Sequence, residues 1–327
     1  MLSAAHFFKL ISILESKFYI ILKMNLLFAF LILMTSCSDD DDNNNAEISV
    51  DPPTATGIVY FESAFNMQIS YANLKSALED NENISIVQEL DHSQNAASVD
   101  MDLAPTQIIF FGNPNLGTPL MQENQLAGLD LPQKVLFYEE EGQVFALYNS
   151  TEYLASRYGV ADIITLPQIS EALSNLVGTA VDASATETTS QLVDEHAGIE
   201  SVESTTDFDS TYSNLRSAIE ANENLSIVAE LDHQANAASV GMELRPTKVI
   251  MFGNPNLGTH LMQSVNSIGL DLPQKMLVWE DETGAVHISY NNPEFLRVKH
   301  QLQANDEEIT QIATALETLA NTAAETE

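Results

Sequence analysis

Cysteine occurs once in these 327 residues, at position 37. No intramolecular disulfide can form, and a thiol is available for chemistry at one position only. Basic residues are also scarce: 12 Lys and Arg stand against 47 Asp and Glu, a formal net charge of −35. Such a field repels nucleic acid and anionic lipid surfaces, so no nucleic-acid partner is expected. The apolar stretch at residues 24–34, MNLLFAFLILM, falls short of the roughly 20 residues a membrane-spanning helix requires. Familiar catalytic signatures are missing as well. There is no Gly-x-Ser-x-Gly elbow, no Gly-Lys-Ser/Thr phosphate loop, and no His-Glu-x-x-His or other close histidine pair to seed a metal site.

What the N-terminus does contain is a targeting layout. Lys17 and Lys23 precede the apolar stretch, and Met34-Thr35-Ser36-Cys37 closes it. Those four residues resemble a bacterial lipobox, which implies cleavage after a signal peptide of residues 1–36 and lipid attachment at Cys37. Translation starts at Met1 or Met24; a start at Met24 leaves a short signal without a basic residue. Loss of residues 1–36 removes three lysines and one glutamate, so the mature chain is more acidic still. Residues 37–56 begin with four adjacent aspartates after Ser38 and include Pro52-Pro53, the composition of a disordered acidic tether. The acidic run also resembles the tag of surface-exposed lipoproteins; a solvated spacer is the plainer reading. The expected location is the bacterial cell envelope, as an outer-membrane lipoprotein held by lipid on Cys37.

The rest of the chain is written twice. Residues 71–139 and 212–280 align without gaps at an offset of 141, with 46 identities in 69 positions. So long a period marks duplicated domains rather than solenoid units. The copies are assigned to 57–181 and 198–327, with an inter-domain linker at 182–197. Apolar residues at Tyr71, Leu74, Ala77 and Leu78, mirrored by Tyr212, Leu215, Ala218 and Ile219, have the three-and-four spacing of a helix face. Strands follow at 84–90 and 107–111, and a Gly-containing hairpin at 135–148, with twins in the second copy. Ile169, Leu173 and Val177, like Ile309, Ile312 and Leu316, form a closing helix. The order β-α-β-β-(short α)-β-β-α is α+β, a sheet backed by helices on one face.

Several ordered motifs carry a family resemblance: Leu-Asp-His, Leu-x-Pro-Thr, Phe-Gly-Asn-Pro-x-x-Gly-Thr, Gly-Leu-x-Leu-Pro-x-Lys, and the hairpin ending in Tyr148 or Tyr290. The chain resembles the domain of unknown function 302 family in both copies. The resemblance implies a fold like the TATA-binding-protein saddle, with domains associating in pairs; it implies no activity. Two copies in one chain are expected to close on each other as an intramolecular pseudo-dimer, pairing equivalent surfaces about a pseudo-two-fold axis. The chain as a whole should then be monomeric.

Three duplicated features are candidates for chemistry. His92 and His233 each follow an aspartate at a strand end, where neutral imidazole can bind a ligand or transfer protons, or can simply tie down a loop. Asn113 and Asn115, with Asn254 and Asn256, lie in the repeated Gly-Asn-Pro-Asn-Leu-Gly-Thr segment, whose free amides could meet an anion or whose side chains could cap a tight turn. Lys134 and Lys275 stand out in so acidic a chain, as holders of an anionic ligand or as ion-pair partners of Glu139 and Glu280. The expected role is a lipoprotein binding a small-molecule or cation ligand through this set, with no resident metal and no identified cofactor. Alternatives are a hydrolase- or lyase-type enzyme using histidine as general acid or base, and a structural or partner-docking surface protein.

Overall fold

The structure, a computed structural model, describes residues 50–325. The signal segment, Cys37 and the aspartate run of the tether lie outside the described residues. The last tether residues do not: Ala55 is buried, its carbonyl accepts from Thr188 Oγ1 at 2.8 Å, and Thr56 N donates to Lys299 O at 2.8 Å. Apolar Pro53 and Ala55, at the end of an acidic run, have surface to bury.

In the first copy, β1 (Ile58–Glu62) leads to α1 (Met67–Glu79), β2 (Ser85–Asp91) and a short α2 (His92–Ala97). Then come β3 (Thr106–Gly112), α3 (Pro114–Glu123), a 3₁₀ turn (Gln125–Leu129), the hairpin β4 (Gln133–Glu140) and β5 (Gln143–Asn149), α4 (Thr151–Tyr158) and α5 (Leu166–Val181). A two-residue strand, β6 (Thr186–Glu187), adds to β1 within the expected linker. The second copy repeats the plan as β7 (Ile199–Ser204), α6 (Phe208–Glu220), β8 (Ser226–Asp232), α7 (His233–Ser239), β9 (Thr247–Gly253) and α8 (Pro255–Ser264). A second 3₁₀ turn (Asn266–Asp271), β10 (Gln274–Glu280), β11 (Val286–Asn291), α9 (Pro293–Lys299) and α10 (Asp306–Ala324) complete it. The α+β reading holds, with two added helices and one earlier helix start per copy. The Asp-His stretch is a helix, capped by Asp91 or Asp232. The short helix after the Asn-Pro segment begins at the proline itself, because proline suits the first helical turn and Asn113 caps it. A further helix follows each hairpin.

The sheets are antiparallel, ordered β2-β3-β4-β5-β1-β6 and β7-β11-β10-β9-β8. Strand alternation gives each sheet two apolar faces. Val135 and Phe137 of β4 point to α1 and α5, while Leu136 and Tyr138 point to the other copy. Met276 and Val278 of β10 likewise join their own helices, and Leu277 the shared layer. The two sheets therefore pack face to face through Ile108, Phe110, Leu136, Val249, Met251 and Leu277, with helices outside.

This pairing is reciprocal, as expected of a pseudo-two-fold arrangement. Gln122 Nε2 donates to Glu243 O at 2.7 Å, and its duplicate Gln263 Nε2 donates to Asp102 O at 2.6 Å. The 3₁₀ turn of each copy rests on the sheet of the other: Gly128 abuts Leu277, and Gly269 abuts Leu136.

Gly57 and Gly198 open the two copies with φ of +74° and +65°. A Cβ on Gly57 would collide with Tyr153, and one on Gly198 with Phe295, its counterpart. Gly198→Ala is expected to cost roughly 2–4 kcal/mol in urea unfolding, from left-handed backbone strain plus overpacking. A change below about 0.5 kcal/mol would show that the turn is not under this constraint.

Candidate functional site

Two duplicate cavities lie where the copies meet, and each is built from both. The first, about 430 Å³, is lined by Asn113, Thr118 and Leu173 of one copy and by His233 and Asn236 of the other. The second, about 410 Å³, repeats this with Asn254, Thr259 and Leu316 facing His92 and Asn95. Thus the histidine and the Asn-Pro segment of one copy do not meet. Each histidine meets the segment of its duplicate.

Both imidazoles are buried, at 4% and 3% exposure. Burial pushes the pKa of each down to about 4; the backbone of Gly269 beside His92, or Gly128 beside His233, and the preceding aspartate oppose this more weakly. The aspartates are occupied elsewhere. Asp91 accepts from Gln94 N at 2.9 Å, Ser93 Oγ at 2.6 Å and Gln107 Nε2 at 2.8 Å, which holds the helix start and not the ring. A neutral imidazole has one N–H and one lone pair. The glycine backbone can use one of them, so one ring nitrogen of each histidine, Nε2, is left without a partner.

Other polar atoms there share this condition. In the first cavity His233 Nε2, Thr118 Oγ1 and Gln133 Nε2 are sealed from solvent without a hydrogen-bond partner, and in the second His92 Nε2 and Thr259 Oγ1. A buried polar group left unpaired costs about 1–3 kcal/mol. The histidine and the threonine are unpaired in both copies, so that cost is incurred twice at one kind of place.

The asparagines divide. Asn113 Oδ1 accepts from Asn115 N at 3.0 Å, and Asn254 Oδ1 from Asn256 N at 3.0 Å, so both cap their helices while lining a cavity. Asn115 and Asn256 are exposed and line neither.

The lysines are in a third place, a buried charge cluster between the sheets. Lys134 Nζ donates to Asp130 at 3.0 Å and to Asp271 of the other copy at 3.1 Å. Asp130 also accepts from Arg157 Nη1 at 2.9 Å, Tyr158 Oη at 2.7 Å and Asn149 Nδ2 at 3.1 Å. Asp271 accepts from Lys299 Nζ at 2.8 Å and pairs with His300 Nε2 at 2.8 Å. Lys275 forms no ion pair with a carboxylate among the described residues. Burial, and then Lys134, hold its pKa well below the lysine range. Pairing with Glu139 and Glu280 does not occur. Positions 134 and 139 are an odd number of residues apart on one strand and face opposite sides of the sheet, as do 275 and 280.

Comparison with known proteins fixes the family. Residues 59–180 and 200–323 each match the domain of unknown function DUF302. The chain belongs to the DUF302 family. A DUF302 crystal structure, of an uncharacterized conserved protein from Bacillus stearothermophilus, aligns with 39% of this chain and 98% of its own at 17% identity and a TM-score of 0.36. Over 78 residues, 24% of this chain, the sequence is 45% identical to proteins named fluoride-specific ion channel FluC 1 from Brucella suis and Brucella abortus. The matched segment spans 31% and 29% of those proteins. No helix among the described residues is long and apolar enough to cross a membrane.

Within the DUF302 pair, the cluster residues Asp130, Arg157, Asp271 and Lys299 escape a reading by motif alone. Asp130 and Asp271 do lie in the unchanged Gly-Leu-Asp-Leu-Pro-Gln-Lys run. Arg157 and Lys299 are conspicuous only as cations in an acidic chain, and their differing side chains conceal that they occupy duplicate positions.

Proposed function

We propose that this DUF302 protein binds small ligands, one in each of the two cavities between its copies, while tethered to the cell envelope by lipid on Cys37. The observation that carries the binding role is the set of buried, unpartnered polar atoms on residues that line both cavities. Buried polar atoms ordinarily have partners, and a ligand supplies them. Cavities of 430 and 410 Å³ suit small organic molecules. The envelope location rests on the signal layout and on Cys37. The second functional group that a general acid or base needs within hydrogen-bond reach is not found beside either Nε2 among the described residues. The Brucella relatives extend well beyond the matched segment, and their named activity stays with them.

A thermal-shift screen of the soluble chain against metal ions, tetrapyrroles, nucleotides, organic acids and neutral apolar compounds tests the binding role. At about 100 times Kd a ligand adds roughly 2.7 kcal/mol per site, and His92→Phe or His233→Phe should halve the stoichiometry. Silence across all classes would end the proposal. The anchor has its own test: Cys37→Ser should abolish labelling by radioactive palmitate, and persistent labelling would refute it.

A further inference from the structure

Which ligands fit follows from what the cavities contain, and from where the cations have gone. The walls are mainly Ile, Leu, Phe, Met and Pro side chains. The buried polar atoms left without a partner on their lining residues are an imidazole nitrogen and a threonine hydroxyl each, joined in the first cavity by the Gln133 amide, beside neutral Asn, Ser and Gln side chains. None carries a charge at neutral pH. The residues that could neutralise an anion, Lys134, Arg157, Lys275 and Lys299, are buried in the cluster between the sheets and line neither cavity. The one carboxylate on the first cavity, Glu230, is taken by Tyr212 Oη at 2.7 Å and Arg216 Nε at 3.1 Å, and the second cavity has no ionised lining residue.

Building on the binding role above, we infer that the cavities select uncharged, predominantly apolar molecules with a single hydroxyl-type head that hydrogen-bonds to the histidine and the threonine. The hydroxyl donates to the free imidazole nitrogen and accepts from Thr118 or Thr259 Oγ1, while the body of the ligand covers the aliphatic wall. A carboxylate of the same shape would be stripped of water with no cation to receive it, inside a chain of net charge −35. A metal ion alone would find one imidazole and at most the already paired Glu230, since no group of three metal-binding side chains occurs among the described residues.

Octanol and octanoate are matched probes of this selectivity. In titration calorimetry of the chain at about pH 8, where octanoate is ionised, octanol should bind at two sites per chain and at least about tenfold more tightly than octanoate. Thr118→Val and Thr259→Val keep the shape of the wall and remove the hydroxyl. Each should weaken octanol at one site and leave octanoate unchanged. Equal or tighter binding of octanoate, or no octanol binding, would overturn the inference. The wider binding role would survive that outcome if the thermal-shift screen found a ligand of another class, and would fall with it if the screen were silent.

Discussion

Asp130→Ala is expected to destabilise the protein by about 3–5 kcal/mol, whereas Lys275→Met, less than a side chain's length away, should be neutral or stabilising. The opposite signs follow from one cluster. Asp130 is the counter-ion of Arg157 and one of two for Lys134, and its carboxylate is held far below the usual pKa by those cations despite burial. Its removal leaves buried positive charge with a single carboxylate, Asp271, and strips Tyr158 and Asn149 of their acceptor. Lys275 is the surplus cation. It has no carboxylate of its own and contributes a buried amine beside an ammonium. Methionine keeps most of its volume without that liability. Urea unfolding at neutral pH measures both variants. Equal losses would mean that Lys275 is charged and paired, and the description of the cluster would have to change.

Stability should also fall steeply as pH drops from about 6.5 to 4, ahead of the buried carboxylates of the cluster. His92 and His233 have pKa values near 4 when folded and 6.5 as the free side chain. Between these values the unfolded chain takes up protons that the folded chain refuses, so acid favours unfolding. Each histidine contributes about 1.4 kcal/mol per pH unit in this window, and roughly 3 kcal/mol once pH is below 4. His300, also lowered by burial, adds in the same direction. Asp130 and Asp271 act later: their folded values are depressed, so their contribution is present above the ordinary carboxylate range and is lost as pH falls below about 4. Unfolding free energies measured by urea at half-unit steps should show the slope, and His92→Phe with His233→Phe should flatten it. A wild-type profile level from pH 7 to 4.5 would contradict the burial of neutral imidazole.

The duplication and the sheet-forming strands could be read from the residues because repeats and alternation are local signals. Pairing of equivalent surfaces was also foreseeable, since two joined copies of one domain present the same face to each other. What could not be read was which duplicate supplies which part. His92 and Asn113 are close in sequence and go to different cavities, because the sheets pack face to face and each 3₁₀ turn crosses over. Lys134 and its carboxylate Asp130 are four residues apart, a spacing that on a helix would have signalled an ion pair. Here the pair spans the end of a 3₁₀ turn and the start of β4, and no local rule reports it. The Asn-Pro segment was misread as a turn because its glycine and proline are ordinary turn residues, although Asn followed by Pro is also how a capped helix begins.

Lys134 and Lys275 sit where a residue meets its own duplicate. In a symmetric pair of separate chains, any change at that point would be made twice at once. Joining the copies in one chain removes that obligation. One lysine can hold two carboxylates and its twin none, and the neighbouring duplicates have drifted apart, arginine and lysine at 157 and 299 and tyrosine and histidine at 158 and 300. The cavities are free to drift in the same way, so one molecule could come to hold two different ligands in two pockets of common descent.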